Sequence, residues 1–325
     1  MNVYIVGQGA VGSYLGSLLQ KIGVEVVYAP RNLTLVKRYE ADVAIVAVKA
    51  YDTQSAIATL RAAIVAPEKC VFVTPQNGIG NEEQLMAAFG GDNVVAASLT
   101  VPIRRDRDGH ANAAKEGAIA LAPTGKTAFN WLVATFASTG LPVKVIEDWR
   151  AMKWSKLALN VIANASCAIL NVLPNRLVHF DRIFTLEIRM LREVRAVMQA
   201  MNLGPVDLPR YPVRALLGVV SLPSPIARGA LATRIAGGRG TKPPSLLLDL
   251  RRGRPETEVN VLNGAVAAAG LEYRVPTPVN AVYARVLDAI AHMPQLWAKY
   301  RERPEVLEAE VEAEMRRTRA LARGA

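Results

Sequence analysis

The chain has 325 residues, but only 2 cysteines and 3 histidines. Cys70 and Cys167 both lie in apolar stretches, which argues against a disulfide framework or a metal site and makes both expected free thiols of the core. His110 lies in a charged turn, His179 near a helix end and His292 beside Met293-Pro294. None of them occupies a motif, so histidine-based acid–base chemistry is disfavoured. No apolar run reaches the roughly 18 residues of a membrane span, and Met1-Asn2 leads into VYIVG without a basic segment. A soluble, cytoplasmic protein with no membrane partner is expected. Aromatics are scarce at 6%, and none interleave with the basic residues behind the net charge of +11. Those residues fall in separate groups: Arg104, Arg105 and Arg107; Arg251, Arg252 and Arg254; Arg316, Arg317, Arg319 and Arg323. Nucleic acid is therefore not the expected partner, and the basic surface is assigned to an anionic cofactor and substrate.

What remains is globular composition, 51% hydrophobic and 21% charged, in a chain long enough for two domains. Residues 2–6, NVYIV, read as a buried parallel strand. Gly7-Gln8-Gly9-Ala10-Val11-Gly12 follows at once, then a helical pattern through Leu19. In this strand–turn–helix setting Gly7 permits the tight turn, Gly9 lets a pyrophosphate approach and Gly12 allows close packing. A second strand, 25–29, runs into Pro30-Arg31-Asn32. Arg31 stands where an NAD-specific domain would carry an acid, and it suits a 2′-phosphate, which favours NADPH over NADH. Strands at 43–48 and 70–74 put Lys49 and Asn77 at the carboxyl edge of the sheet, where open α/β sheets bind ligands. Helices at 51–65 and 129–138, strands at 94–99, 118–122 and 143–146, and the charged turn RRDRDGH complete this half.

From residue 148 the pattern is helix after helix, at 186–201, 246–252, 257–268 and 278–291. The expected domains are 1–147 and 148–325. Residues 203–245 are rich in Pro and Gly and read as irregular, with GGRGTKPPS a loop leading back toward the site. The tail from 304 places acids before bases, which suits a helix dipole, and reads as a solvated terminal helix, with a dimer contact as the second reading. Residues 149–170, WRAMKWSKLALNVIANASCAIL, read as one mostly buried helix. Lys156, Asn160 and Asn164 recur every fourth residue and so share a face. An unpaired buried polar group costs roughly 1–3 kcal/mol, so either other side chains or a ligand must satisfy that row.

Seven segments in this order resemble the ketopantoate reductase (2-dehydropantoate 2-reductase) family over nearly the whole chain. They are GQGAVG at 7–12, Arg31, AVKAYD at 47–52, QNGIG at 76–80, KWSKLALNVIAN at 153–164, PPSLLLDLRRGRPETEVNVLNG at 243–264 and VPTPVN at 275–280. The resemblance implies an α/β Rossmann-type dinucleotide-binding domain followed by an all-α domain of the 6-phosphogluconate dehydrogenase C-terminal kind, with the site in the cleft between. It implies NADPH-dependent reduction of a 2-keto acid, 2-dehydropantoate to pantoate, in pantothenate and coenzyme A biosynthesis. By the same resemblance Lys156 is the catalytic acid and Glu258 supports or orients substrate, which hydrogen-bonds to Asn77, Asn160, Asn164 and Ser245. The cofactor is held by Gly7, Gln8, Gly9, Ala10, Val11, Gly12, Arg31, Lys49 and Asn77; no metal is expected, and a homodimer is.

Two departures stand out. Ten residues lie between Arg31 and Asp42, fewer than is usual in the family, so the rim at the adenosine end is trimmed. RPETEV holds one residue more than the common spacing, leaving Glu256 as a rival to Glu258; Glu258 keeps the distance to Asn263-Gly264. Chemically, charge builds on a ketone oxygen as hydride arrives, and a lysine offers that oxygen both charge and a proton. A free lysine near ~10.4 is a poor acid, so burial should lower Lys156 while Glu258 pushes the other way. The alternatives are a reductase of another 2-keto acid and a nucleotide-binding regulator without turnover.

Overall fold

Short apolar runs separated by helices build a parallel sheet, because each strand is covered on both faces and can be apolar throughout. The computed structural model describes the chain apart from residues 31–36, 106–109, 127–128, 239–240 and 325 and the side chains of 105, 233–238 and 321–324. The chain forms two compact units, one of Met1–Lys156 with Asp207–Tyr211 and one of Leu157–Val206 with Pro212–Ala325.

The first unit carries β1 (Asn2–Val6), β2 (Glu25–Tyr28), β3 (Val43–Val46), β4 (Val71–Thr74), β5 (Val94–Leu99), β6 (Ile103–Arg105), β7 (Ala111–Ala113), β8 (Ile119–Pro123) and β9 (Val143–Val145). The main sheet runs β2-β1-β3-β4-β5-β8-β9, and all its pairings are parallel except β5 with β8. Alternation along β1 sends Val3 and Ile5 to one face and Tyr4 and Val6 to the other. Leu15 and Leu19 of helix Ala10–Lys21 and Leu132 and Phe136 of helix Asn130–Ser138 pack on the first face. Helices Thr53–Ala63 and Asn81–Phe89 cover the second with Ile57, Leu60 and Leu85. Because β1 lies between β2 and β3, the connections that follow β1 and β3 run to opposite sides at the carboxyl edge, the kind of switch point at which open α/β sheets bind ligands. The expected strands are all present within a residue or two. Helix Asn81–Phe89 and the β6–β7 hairpin flanking the charged turn were not foreseen.

The second unit is helical. Its described elements include Ala165–Leu170, Asp181–Ala200, Val213–Val219, Ser224–Gly238, Ser245–Arg251, Asn263–Glu272, Pro278–His292 and Pro304–Gly324. The expectation of irregular chain across 203–245 is corrected by two helices there. Pro212 and Pro223 immediately precede them, where a missing N–H costs nothing, so these prolines mark helix starts rather than disorder. Arg239 and Gly240 of GGRGTKPPS lie outside the described residues. The terminal helix exposes most of its charges but buries Leu307 and Val311, four residues apart on one face, against helix Pro278–His292. Both cysteines are buried and unbridged, and burial, then the Asp42 charge, pushes the Cys70 thiol up to about 12. No helix among the described residues is long and apolar enough to cross a membrane.

One buried acid of this unit is built into a helix end. Glu193 accepts from the backbone N–H groups of Val279 and Asn280, both at 2.9 Å, and from Asn280 Nδ2 at 2.7 Å, capping helix Pro278–His292. Burial outweighs these donors and pushes its carboxyl up from 4.5 to about 7. A folded-state value above the unfolded one means stability that is fully present below pH 4.5 and lost as pH rises through about 7. The thermal midpoint should therefore fall between pH 5 and 8 more steeply in the wild type than in Glu193→Gln, the difference amounting to a few kcal/mol at most, ~1.4 per pH unit. Parallel profiles for the two proteins would remove Glu193 as the source.

Candidate active site

Between Val6 and Ala10 the chain turns from strand to helix through Gly7, whose φ of +107° is a conformation that side-chain-bearing residues avoid. A Cβ at Gly7 would stand 2.6 Å from the carbonyl carbon of Ala47, and one at Gly12 would stand 2.0 Å from the oxygen of Gly7. Both positions are closed by backbone. Gly9 differs, because among the described residues beyond its chain neighbours the nearest atom to its Cβ would be Ala47 O at 4.0 Å. Gly9 is also the N-cap of helix Ala10–Lys21, which has neither a side-chain cap nor an acid in its first turn. An open backbone at a helix N-terminus without a carboxylate suits a diphosphate, so Gly7, Gln8, Gly9, Ala10, Val11 and Gly12 fit the phosphate end of a dinucleotide. Arg31 lies outside the described residues.

Lys49 follows β3 and caps the short turn Ala50–Asp52, while Asn77 follows β4; both are half-buried. Buried Gln76 joins the two loops. Its Oε1 accepts from Thr74 Oγ1 at 3.0 Å, and its Nε2 donates to Val48 O at 3.2 Å and to Thr53 Oγ1 at 2.9 Å. Asn81 continues the frame, donating from Nδ2 to Asn77 O at 3.0 Å and accepting from Thr53 Oγ1 at 3.0 Å. The segments that carry Lys49 and Asn77 are thus held by one satisfied polar network.

Helix Trp149–Val161 brings two lysines to the same sheet edge. The last β4–β5 pair is Thr74 with Ala96, whereas β5 continues to Leu99. Thr100 N–H donates to Ala118 O, so residues 97 and 99 turn the other way, toward the side that β4 no longer covers. Their carbonyls need donors. Lys156 Nζ donates to Leu99 O at 2.9 Å; Lys153, one turn earlier on the same face, approaches Ala97 O at 3.5 Å and donates to Gln76 O at 2.5 Å. Lys153 also pairs with Glu82 at 2.8 Å, and the two side chains are 2% and 1% exposed. Burial raises the Glu82 carboxyl, and the Lys153 ammonium opposes that rise. Sequence reasoning singled out Lys156 and passed over Lys153, Glu82 and Gln76. The only available signal was a second lysine three positions before the first.

The second unit corrects the reading of 149–170 as one helix. Helical structure stops at Val161 and resumes at Ala165, and Ala163 takes a left-handed φ of +48°. Buried Glu187 accounts for the break, since its Oε2 accepts the Ala163 N–H at 2.6 Å, a bond that a continuous helix would have spent on its own carbonyl. Lys156 and Asn160 remain one turn apart on one helix, but Asn164 does not continue their row. It is 4% exposed and spends its amide locally, donating to Asn160 O at 3.0 Å and accepting the Leu246 N–H at 3.2 Å. That second bond caps helix Ser245–Arg251, whose first residue, Ser245, is exposed. Glu258 opens the turn Glu258–Val261 and is 5% exposed, whereas its rival Glu256 is exposed. A carboxylate is costly to bury without a partner, so of the two acids Glu258 is the one the fold has built in.

Comparison with known proteins points one way. The pattern described as Ketopantoate reductase PanE/ApbA matches residues 23–126, and its C-terminal counterpart matches residues 148–291. The 2-dehydropantoate 2-reductase of Pyrobaculum aerophilum is 30% identical over 294 residues, covering 85% of this chain and 93% of that protein. A PanE/ApbA family ketopantoate reductase structure from Ralstonia eutropha superposes with a TM-score of 0.74 at 26% identity, covering 91% of this chain and all of that one. A D-mandelate dehydrogenase in complex with NADH shares the fold with a TM-score of 0.73 at 18% identity, over 90% of this chain and 99% of that one.

Proposed function

Because this chain belongs to the ketopantoate reductase family of oxidoreductases acting on CH–OH groups, we propose that it reduces 2-dehydropantoate to pantoate with NADPH, using Lys156 as general acid. The observation that carries this reading is the lysine itself. Its ammonium is fixed 2.9 Å from Leu99 O, in the same unit as a glycine turn open to a diphosphate. NADPH, when bound, supplies the hydride. Lys156 meets the charge that grows on the ketone oxygen and passes it a proton, which completes the alcohol. Asn77, Asn160 and Ser245 hydrogen-bond the carboxylate and hydroxyl of the substrate and Glu258 supports it, while Asn164, its amide bonded to Asn160 O and to the Leu246 N–H, holds the start of the helix that carries Ser245. Gly7, Gln8, Gly9, Ala10, Val11, Gly12, Lys49 and Asn77 hold the cofactor, with Arg31 on its 2′-phosphate. A cytoplasmic homodimer belongs to the same proposal.

Purified protein assayed against a panel of 2-keto acids with NADPH and with NADH tests this directly. NADPH oxidation should be fastest with 2-dehydropantoate, and Arg31→Ala should raise KM for NADPH far more than for NADH. Turnover of other keto acids but not of this one would sink the substrate assignment alone; no turnover of any would sink the enzyme. Equal effects of Arg31→Ala on both nucleotides would remove it from the phosphate site.

A further inference from the structure

Directly beneath the Gln76-Asn77-Gly78 turn lies an ion pair that the proposed chemistry does not use. Lys153 and Glu82 are almost wholly buried, and Glu82 Oε2 has no hydrogen-bond partner among the described residues. A pair of this kind is a poor source of stability, since apolar residues of the same shape often do as well or better. What it achieves here is geometric. The Lys153 ammonium is a compact group with three donors, and its shortest contact is the 2.5 Å bond to the carbonyl of Gln76, the residue before Asn77. Glu82, in the first turn of helix Asn81–Phe89, holds that ammonium from below. Asn81 beside it grips the carbonyl of Asn77 at 3.0 Å, and the Gln76 side chain reaches Val48 O, the residue before Lys49. Lys153 also sits one turn before Lys156, and the two reach along the same edge of β5.

We propose that Lys153 and Glu82 are positioning residues for the reductase step. Lys153 locks the Gln76–Asn77 peptide and ties the Asn77 turn to the helix that carries the acid, and Glu82 fixes Lys153 in that role. This rests on the function proposed above. Misplacing a binding group by about 1 Å can cost ~10²-fold in rate, so loosening this turn is expected to lower kcat rather than merely melt the protein.

The test pairs Lys153→Met with Glu82→Leu, which removes both charges and leaves no buried ion unpaired. The double variant should fold, with a thermal midpoint lowered by the loss of the Lys153 donor to the buried carbonyls of Gln76 and Ala97. Its kcat for 2-dehydropantoate should drop at least ~10-fold, and amide exchange at residues 76–80 should quicken by ~10-fold or more. Asn77→Ala should then cost much less in the double variant than in the wild type, because the two changes disable one device. A folded double variant with wild-type kcat, or an Asn77→Ala effect of equal size in both backgrounds, overturns the proposal. If the double variant does not fold, Lys153→Arg carries the test. It keeps the charge but replaces a point donor with a broad planar one, so kcat should fall ~10-fold in a folded protein, and an unchanged kcat overturns the idea. Should the wild type reduce no keto acid, the functional reading fails separately. The exchange of residues 76–80 then decides: faster exchange in the variant upholds the locking role, and unchanged exchange overturns it.

Discussion

Lys156→Ala should lower kcat for 2-dehydropantoate by at least ~10²-fold, the scale of a lost general acid, and by more if the charge on the ketone oxygen is also left unmet. Nucleotide affinity should change little, because the glycine turn and the Gln76 network do not depend on the Lys156 side chain. Folding should also survive, since Lys156 is half-buried and leaving the Leu99 carbonyl without its donor costs about 1–3 kcal/mol, a fraction of a domain's stability. Lys156→Arg separates the two contributions of the lysine. A guanidinium supplies positive charge and N–H donors but does not give up a proton at accessible pH, so it can stabilise an oxyanion without protonating it. If proton transfer is the larger part, arginine rescues little. Recovery to within ~10-fold of the wild type would recast Lys156 as an electrostatic group, and wild-type turnover by Lys156→Ala would remove it from the mechanism.

The contrast between Lys156 and Lys153 shows where sequence reasoning reaches its limit. Lys156 was legible because Asn160 follows it at helical spacing, a local pattern. Lys153 earns its place through Gln76, 77 residues away in the chain, and through a carbonyl edge that exists only because β4 stops before β5 does. Neither fact has a local signature. The same holds for the helix break. LALNVIANASCAIL reads as continuous helix, and Ala163 is an unremarkable residue for one. Its left-handed turn is imposed by Glu187, an acid on another helix whose carboxylate takes its N–H. Asn164 was correctly expected to need partners, but two backbone groups of its own unit supply them.

Other features were legible because their causes are local. NVYIV and VAIVAV can only be strands buried on both faces, and VYIVGQGAVG carries its turn chemistry within a few residues. Prolines misled in one place, residues 203–245, because composition does not distinguish a proline that ends a helix from one that begins it. The choice between Glu256 and Glu258 turned on one residue of spacing in the sequence, and burial now separates them by environment.

Gly9→Ala and Gly12→Ala should fail in different ways, and the difference tests whether this turn holds a diphosphate. At Gly12 a methyl group would lie 2.0 Å from the Gly7 oxygen and 3.2 Å from the Ala47 Cβ, so helix Ala10–Lys21 must be pushed off the sheet. That displacement disturbs the packing of Leu15 and Leu19 against the β1 face, and overpacking of this kind costs about 1–3 kcal/mol or more. The thermal midpoint should fall, and NADPH binding should fall with it. At Gly9 the added methyl meets nothing closer than Ala47 O at 4.0 Å among the described residues beyond its chain neighbours, and the backbone φ of −77° suits any residue. The free protein should therefore melt as the wild type does, or slightly higher, since alanine loses less chain entropy on folding. NADPH affinity should nonetheless drop by ~10²-fold, because the methyl occupies the space in which a pyrophosphate must approach the helix N-terminus. Fluorescence titration with NADPH beside a melting curve reads both variants. A Gly9→Ala protein that binds NADPH normally would mean that the diphosphate does not lie over this turn, whatever the rest of the chain resembles.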